Sequence, residues 1–147
     1  TVHWHPLLDD FKPHAAILWT EQKLEINNKD AEGHNTNYAS ALQGFNVLIT
    51  ANGQHVRQLQ AGENIPQNIS CNIHPWMQAK LLVRDNPYFA VSAADGTFEI
   101  RDVPNNAALE YQLWHEKTGY LGNLKFDGGV VDPKGRFKLT AAKDTDL

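Results

Sequence analysis

The stretch Cys71-Asn72-Ile73-His74-Pro75-Trp76-Met77 contains the only cysteine and the only methionine of the chain, with a histidine between them. A thiolate, an imidazole and a thioether are soft or borderline donors, which suit copper better than the hard divalent cations. In blue-copper sites, two histidines and one cysteine form a trigonal plane with a weak axial methionine. The stretch therefore predicts a copper site in which Cys71, His74 and Met77 supply three of the four ligands.

The fourth ligand, a second histidine, has to come from another segment, and His34 is the best candidate. With His34 included, two parts of the chain resemble cupredoxins. The Cys71 stretch is similar to the Cys-x-x-His-Pro-Phe-Met ligand loop of amicyanins, with Trp76 in place of Phe. Gly33-His34-Asn35 is similar to the segment that carries the first ligand in azurins and amicyanins. Residues 11–85 bear this resemblance, which implies an all-β, Greek-key β-sandwich.

The resemblance also implies roles for individual residues. His34, Cys71, His74 and Met77 would bind one type 1 copper, and Asn35 would tie the two ligand segments together through its backbone N–H and its side chain. Pro75 and Trp76 would flank the exposed edge of His74, where electrons enter or leave. The implied function is single-electron transfer between redox partner proteins by Cu(I)/Cu(II) cycling, without enzymatic turnover. Because thiolate copper sites of this family are assembled outside the reducing cytosol, a periplasmic or otherwise exported location is expected.

Tyr88–Glu116 resembles the extension found in a bacterial group of cupredoxin-like proteins related to methylamine utilisation, and residues 86–147 are expected to form a C-terminal β extension. The resemblance rests on Asp95-Gly96-Thr97-Phe98-Glu99-Ile100 and Trp114-His115-Glu116. The extension either completes one enlarged sandwich or packs as a small appended sheet, and the first is expected because the copper-binding core, 11–85, is short. The expected organisation is an N-terminal arm over residues 1–10 and a single domain over 11–147.

Composition limits the partners. A chain of 147 residues is long enough for one domain with a sizeable core. Its formal net charge is −4 and its 13 basic residues are scattered, which argues against binding to nucleic acid or to an anionic membrane. No apolar run reaches membrane-spanning length, so no membrane insertion is expected. The start lacks a signal-peptide pattern, and Thr1 is expected to follow processing or trimming.

Hydrophobic alternation and turn residues predict the local structure. Asn52-Gly53 predicts a local hairpin, and the polar composition of residues 27–41 predicts an irregular loop around His34. The predicted strands are Ala15–Trp19, Lys23–Asn27, Phe45–Thr50, His55–Gln60, Asn68–Cys71, Ala79–Asp85, Tyr88–Ala93, Thr97–Val103, Leu109–Glu116 and Arg136–Ala141.

The five remaining histidines are expected to lie outside the copper site. His3 and His5 are close to the start of the chain and can chelate Cu(II) only as an experimental confounder. His14 is expected to make a structural hydrogen bond, and His55 is expected at the surface. His115 falls on the apolar side of its predicted strand and is expected to be a hydrogen-bonded core residue.

Three alternatives stay open. Cys71 and Met77 are residue types that are common in protein cores, so their proximity alone does not require a metal. A copper-binding carrier or recognition module with no electron-transfer role would use the same ligands, and so would one domain of a larger copper oxidase or reductase. An enzyme built on this site alone is not expected, because a Cys-His-His-Met set leaves no open coordination position.

Overall fold

The computed structural model describes residues 2–6, 10–126 and 129–140, with only the backbone considered for 2–6. The described residues form fifteen β-strands and no helix, and none of their segments is a helix long and apolar enough to cross a membrane. The predicted all-β class is confirmed. The strands are β1 (Val2–Pro6), β2 (Phe11–Lys12), β3 (Ala15–Trp19), β4 (Lys23–Asn27), β5 (His34–Tyr38), β6 (Phe45–Ile49), β7 (Gln54–Gln58), β8 (Gln67–Ser70), β9 (Gln78–Arg84), β10 (Ala108–Gln112), β11 (Trp114–His115), β12 (Gly119–Tyr120), β13 (Lys125–Phe126), β14 (Gly129–Val130) and β15 (Arg136–Thr140).

The chain divides into two compact units, Thr1–Glu99 and Ile100–Leu147. Additional C-terminal strands are present in the second unit as β10 to β15, but the two strands predicted within residues 88–103 are not among them. The expected single domain over 11–147, and the expected role of residues 86–147 in enlarging the sandwich, stay predictions. Residues 2–6, expected as part of an arm, instead form β1, which pairs with β4 and β2.

The first unit contains two sheets. The five-stranded sheet has the order β3-β9-β8-β5-β6, in which only β3 and β9 are parallel neighbours. The four-stranded sheet has the order β2-β1-β4-β7, in which only β1 and β4 are parallel. Strands that are distant in sequence therefore lie side by side, as expected for a sandwich with crossover connections.

Alternating apolar residues of both sheets form one core. In β9 the buried positions are Ala79, Leu81 and Val83, and in β4 they are Leu24 and Ile26. Successive strand residues point to opposite faces of a sheet, so this alternation directs one face of each strand inward. Burial of these side chains removes apolar surface from water, which is the main force that holds the sheets together. The other members of the core are Phe11, Ala16, Leu18, Tyr38, Ile49, Leu59, Ile69, Cys71 and Met77.

β5 corrects the predicted loop over residues 27–41. Although its sequence His-Asn-Thr-Asn-Tyr is polar, β5 pairs with β6 on one side and with β8 on the other. A strand paired on both sides has its backbone groups satisfied, so backbone pairing and tertiary packing outweigh its low intrinsic strand propensity. His34, Thr36 and Tyr38 alternate along the strand and are all buried. The sequence composition missed this strand because its inward positions are polar.

The predicted hairpin at Asn52-Gly53 is wrong in its pairing. The turn exists, because the Gly53 N–H donates to the Thr50 carbonyl at 2.9 Å, but β6 pairs with β5 and β7 pairs with β4 in the other sheet. Only Asn52 has a positive φ, of 55°, whereas the preferred two-residue hairpin turn needs a positive φ at both central residues. The turn therefore passes the chain from one sheet to the other.

Residues 88–103 do not form the two predicted strands. The tight turn at residues 94–96 is present, with hydrogen bonds between Ala93 and Thr97 and between Gly96 and Ala93, but no ladder continues beyond it. Val91 and Phe98 are exposed, so alternation in this segment does not correspond to a buried face. An isolated two-stranded hairpin without a covered apolar face is marginal, which explains the absence of regular pairing here.

The second unit is built around the antiparallel pair β10 and β15, in which Tyr111 lies opposite Phe137. Their rings stack with centroids 5.7 Å apart, and Phe126 meets the Phe137 ring edge-on at 5.2 Å. Aromatic pairs of this geometry add to the stabilisation from area burial alone. The predicted continuous strand to Glu116 is interrupted at Leu113, whose N–H donates to the Gly135 carbonyl.

A buried tyrosine and carboxylate anchor the end of β5. The Tyr38 hydroxyl donates to Glu63 Oε1 at 2.6 Å, and both residues are buried. The backbone of Glu63 is fixed as well, since its N–H donates to the Val83 carbonyl and its carbonyl accepts from Arg84 Nη1. The segment around Glu63 is thereby joined to β5 and to β9.

Tyr38→Phe is expected to lower the free energy of unfolding by about 1–3 kcal/mol, because it leaves the buried Glu63 carboxylate without its short hydrogen bond. The measurement is chemical denaturation of the metal-free protein. Glu63→Gln is the matched control, since its amide oxygen still accepts from Tyr38 and its loss should be smaller. Equal stability of Tyr38→Phe and the parent would contradict the assigned role.

The same pair predicts a pH dependence. Burial, followed by the hydrogen bond and the charge of Glu63, raises the pKa of Tyr38. The folded state then holds this proton more tightly than the unfolded state. Its contribution to stability is complete below the ordinary tyrosine pKa of about 10 and is lost as the pH rises above it. Chemical denaturation is measured from about pH 9 to about pH 11, on either side of that pKa. Over this range, the free energy of unfolding should fall more steeply with pH for the parent than for Tyr38→Phe.

Candidate metal centre

The two predicted ligand segments meet at one end of the five-stranded sheet. The segment of residues 71–77 connects β8 to β9, while His34 is the first residue of β5. β5 and β8 are antiparallel neighbours, with Asn37 opposite Ser70. The start of β5 therefore runs alongside the point where the chain leaves β8 at Cys71. The sheet brings together segments that are 36 residues apart in sequence, as the hydrogen bond between Cys71 and Asn35 shows.

Three donor atoms converge at this point. His34 Nδ1 lies 2.9 Å from His74 Nδ1, and Cys71 Sγ lies 3.9 Å from the same nitrogen. The ligand atoms of all three residues lie within 4.8 Å of one another. His34 and Cys71 are each 1% exposed, whereas the His74 side chain is 14% exposed. Two imidazole nitrogens and a thiolate sulfur, held in a largely buried cluster, fit the equatorial donor set of a copper site.

Met77 is buried and closes the loop through its backbone. Its N–H donates to the His74 carbonyl at 2.9 Å, and its carbonyl accepts from the Cys71 N–H at 3.2 Å. The bond between Cys71 and Met77 joins the ends of the seven-residue stretch, and the bond between Met77 and His74 closes its second half, so the backbone is held in a closed conformation. The axial role of the Met77 sulfur stays a prediction.

Carboxylates lie beside the outer nitrogens of both histidines. Asp30 Oδ2 is 2.9 Å from His34 Nε2, and Glu32 Oε2 is 4.0 Å from His74 Nε2. A carboxylate on the outer nitrogen fixes the ring orientation and the tautomer of a metal-binding histidine. The Asp30 contact is within hydrogen-bonding distance and directs Nδ1 of His34 toward the cluster. The Glu32 contact is too long for a hydrogen bond.

Asn35 connects the two ligand segments through its side chain. Its Oδ1 accepts from the Asn72 N–H at 2.7 Å and lies 3.3 Å from Cys71 Sγ. Its Nδ2 donates to Asn46 Oδ1 at 2.7 Å, so the amide is held from both ends. These two contacts fix the orientation of the Asn35 carboxamide, with Oδ1 toward the Cys71 loop. The implied contact between the Asn35 backbone N–H and the sulfur stays a prediction.

Asn28, Asp30, Glu32 and Asn46 are the site residues that the sequence reasoning missed. Buried Asn28 donates through Nδ2 to the Glu32 carbonyl at 2.7 Å, and its Oδ1 accepts from the Asp30 N–H at 3.0 Å. An asparagine side chain commonly accepts a hydrogen bond from the backbone N–H two residues further along. The spacing in Asn28-Lys29-Asp30 is the sequence signal that could have indicated this contact. Asn46 lies near Asn35 because β5 pairs with β6. The amino-acid composition of residues 27–41 did not predict this pairing.

Among the described residues, three further histidines are not members of this donor cluster. His14 Nε2 bonds to Asp10 Oδ1 at 3.0 Å, as expected of a structural residue. His55, expected at the surface, is half-buried, and within the described part of the chain its buried Nε2 has no hydrogen-bond partner. His115, expected in the core, is exposed, because the interruption at Leu113 shifts the alternation by one residue. The side chains of His3 and His5 lie outside the described atoms.

Comparison with solved structures reveals the fold. The chain is similar to the Cu(I) form of an amicyanin mutant, with a TM-score of 0.51 and 10% identity over 56% of this chain and 81% of that one. For amicyanin from Paracoccus versutus the TM-score is 0.50, with 14% identity over 56% of this chain and 80% of that one. The chain has the cupredoxin fold. The fold prediction made from the Cys71 and His34 segments is therefore confirmed.

One of the similar solved structures is a much longer chain, of which only a part matches this protein. The Cu-containing nitrite reductase NirK from Thermus scotoductus SA-01 has a TM-score of 0.53 and 14% identity, covering 58% of this chain and 22% of that one. No protein-family profile and no curated protein sequence matches the chain. At identities of 10–14%, the similarity is one of fold, and the chemistry has to be argued from the chain's own residues.

Asn46→Ala is expected to lower the free energy of unfolding of the metal-free protein by about 1 kcal/mol, because it leaves the buried Asn35 Nδ2 without its acceptor. Chemical denaturation measures this change. Asn46→Asp keeps an oxygen acceptor and serves as the control, with a smaller loss. If both variants were as stable as the parent, the Asn35 amide would not depend on Asn46.

Proposed function

We propose that the chain is a mononuclear type 1 copper protein that transfers single electrons between redox partner proteins. The observation that supports this most directly is the convergence of His34 Nδ1, His74 Nδ1 and Cys71 Sγ in a largely buried cluster. Met77, buried at the end of the same loop, is the proposed axial donor. When bound, copper supplies the one-electron Cu(I)/Cu(II) couple.

The residues of the chain would keep the geometry of the donors the same in both oxidation states. His34 is fixed by Asp30, and the Cys71 loop is fixed by Asn35 and by the backbone bonds of Met77 with Cys71 and His74. Donors on paired strands and on a closed loop move little, so little reorganisation accompanies a change of charge at the cluster. Preorganisation of this kind favours rapid electron transfer over metal release.

His74 is the proposed exit for electrons. It is the least buried of the three converging residues, and its ring lies 5.2 Å from the ring of Trp76. Trp76 and Pro75 are exposed beside it, which supports the electron-entry patch expected from the sequence. A partner that covers this patch would come close to His74, while His34 and Cys71 stay enclosed.

The proposal includes no enzymatic turnover. The three converging donors together with Met77 would complete a four-ligand set, so no position remains for a substrate. The similarity to the nitrite reductase extends over only 22% of that chain, and its activity is not transferred here. We also place the protein in the periplasm or another exported location, where a Cys71 thiolate site can be loaded with copper.

The test is titration of the metal-free protein with Cu(II), followed by visible absorption. We expect an intense thiolate-to-copper band that bleaches reversibly with a reductant. Cys71→Ala and His34→Ala should abolish the band, since each removes one of the converging donors. Met77→Ala should keep the colour and shift the reduction potential.

His115→Ala is the matched control, because this exposed histidine is not a member of the donor cluster and should leave the band unchanged. His3 and His5 are replaced by Ala in every variant to prevent chelation near the chain start. Substitution is preferable to deletion because residues 2–6 form β1. Weak visible absorption that persists in Cys71→Ala would contradict the electron-transfer proposal. Exchangeable copper without a reversible redox couple would identify a carrier instead.

A further inference from the structure

The surface around His74 combines apolar side chains with one carboxylate. Ile73 and Trp76 are 53% and 66% exposed, and Pro75 between His74 and Trp76 is exposed as well. Exposed apolar side chains grouped in this way mark contact sites on protein surfaces. The carboxylate is that of Glu32, which comes from the other ligand segment and lies 4.0 Å from His74 Nε2.

Glu32 constrains what can cover this surface. Its side chain is 77% exposed, so water solvates the carboxylate in the free protein. Among the described residues its ionic neighbour is His74, at a distance too long for a hydrogen bond, so the carboxylate depends on water for its hydrogen bonds. A partner lying on His74 and Trp76 would remove water from Glu32 at the same time. Dehydration of an unpaired carboxylate is strongly unfavourable.

We propose that Glu32, Ile73, Pro75 and Trp76 form one docking surface for a redox protein that places a lysine or arginine against Glu32. The inference depends on the proposed electron-transfer function. An apolar partner face without a cation would cover Ile73 and Trp76 but leave Glu32 buried and unpaired. A partner cation restores a charge-assisted contact at Glu32, and arginine suits it well because guanidinium can bind a carboxylate in two places.

The docking surface therefore selects partners by charge next to the electron exit. The formal net charge of −4 acts in the same direction over longer distances, since it attracts a cationic partner before contact. A partner whose redox centre is surrounded by carboxylates would meet repulsion at Glu32. Electrostatic complementarity of this type changes association rates and specificity more than it changes intrinsic affinity.

The test uses two ferric cytochromes as probes, one with lysines and one with carboxylates around its exposed haem edge. The copper-loaded, reduced protein gives one electron to the ferric haem, which becomes ferrous while the protein is oxidised. Stopped-flow absorption measures the bimolecular rate constant over a series of salt concentrations. The variants are Glu32→Gln, Glu32→Lys and the control Glu21→Gln, which removes an exposed carboxylate from the turn before β4.

At low ionic strength, Glu32→Gln should slow reaction with the lysine-surrounded cytochrome by about fivefold, and the difference should disappear as salt screens the charges. Glu32→Lys should slow this reaction further and accelerate the reaction with the carboxylate-surrounded probe. Glu21→Gln should match the parent. Equal rates for Glu32→Gln and the parent with both probes would overturn the inference. A change by the same factor in the same direction for both probes would also overturn it, because Glu32 would then act on the copper site and not on docking.

A binding measurement separates this inference from the proposed function. The ¹⁵N-labelled metal-free protein is titrated with the ferrous, lysine-surrounded cytochrome, and the Trp76 indole N–H and the Glu32 amide are followed. We expect both resonances to shift in the parent and to shift much less in Glu32→Gln. Glu32-dependent shifts without electron exchange would support the docking surface and contradict the electron-transfer proposal. Electron exchange with shifts confined to other residues would contradict the docking surface alone.

Discussion

The hydrogen bonds of the Asn35 carboxamide are the constraint on which the cluster of His34, Cys71 and His74 depends. The donors come from two segments that local structure cannot hold together, since His34 begins β5 and Cys71 follows β8. The 2.7 Å bond from the Asn72 N–H to Asn35 Oδ1 joins these segments beside the cysteine sulfur. Without it, the pairing of β5 with β8 would still bring the segments near each other, but the loop would be free to turn its thiol away from the two imidazoles.

β5, the strand that carries Asn35, is held at both ends. β5 lies between β6 and β8, with Tyr38 bonded to buried Glu63 at one end and His34 bonded to Asp30 at the other. Asp30 in turn is positioned by Asn28, whose side-chain oxygen accepts from its N–H. Hydrogen bonds between polar groups of the first unit thus fix the orientation of β5 and its side chains, while burial of the apolar core supplies the driving force for folding. A rigid donor cluster follows from this division of roles.

The sequence predicted which side chains converge better than it predicted what surrounds them. Cys71, His74 and His34 could be identified because their residue types and loop spacing are rare and chemically specific, and the strands from Ala15 to Asn27 followed from simple alternation. β5 was missed because its buried positions are polar, and the Asn52-Gly53 hairpin was wrong because the turn leads from one sheet to the other. Asp30 and Asn46 act through contacts that exist only once the strands are paired. Such contacts leave little trace in a single sequence.

The division of the converging donor residues between two segments also affects the surface. His34 and Cys71 are enclosed, so access to the cluster is restricted to the edge of His74, and the residues that surround this edge come from both segments. The Cys71–Met77 loop provides the apolar contacts Ile73 and Trp76, whereas the segment before β5 provides the charge of Glu32. Because Glu32 is not part of the loop, its charge can change without altering the spacing of Cys71, His74 and Met77. On the proposed docking surface, the choice of partner therefore depends on a residue outside the loop that fixes the donor geometry.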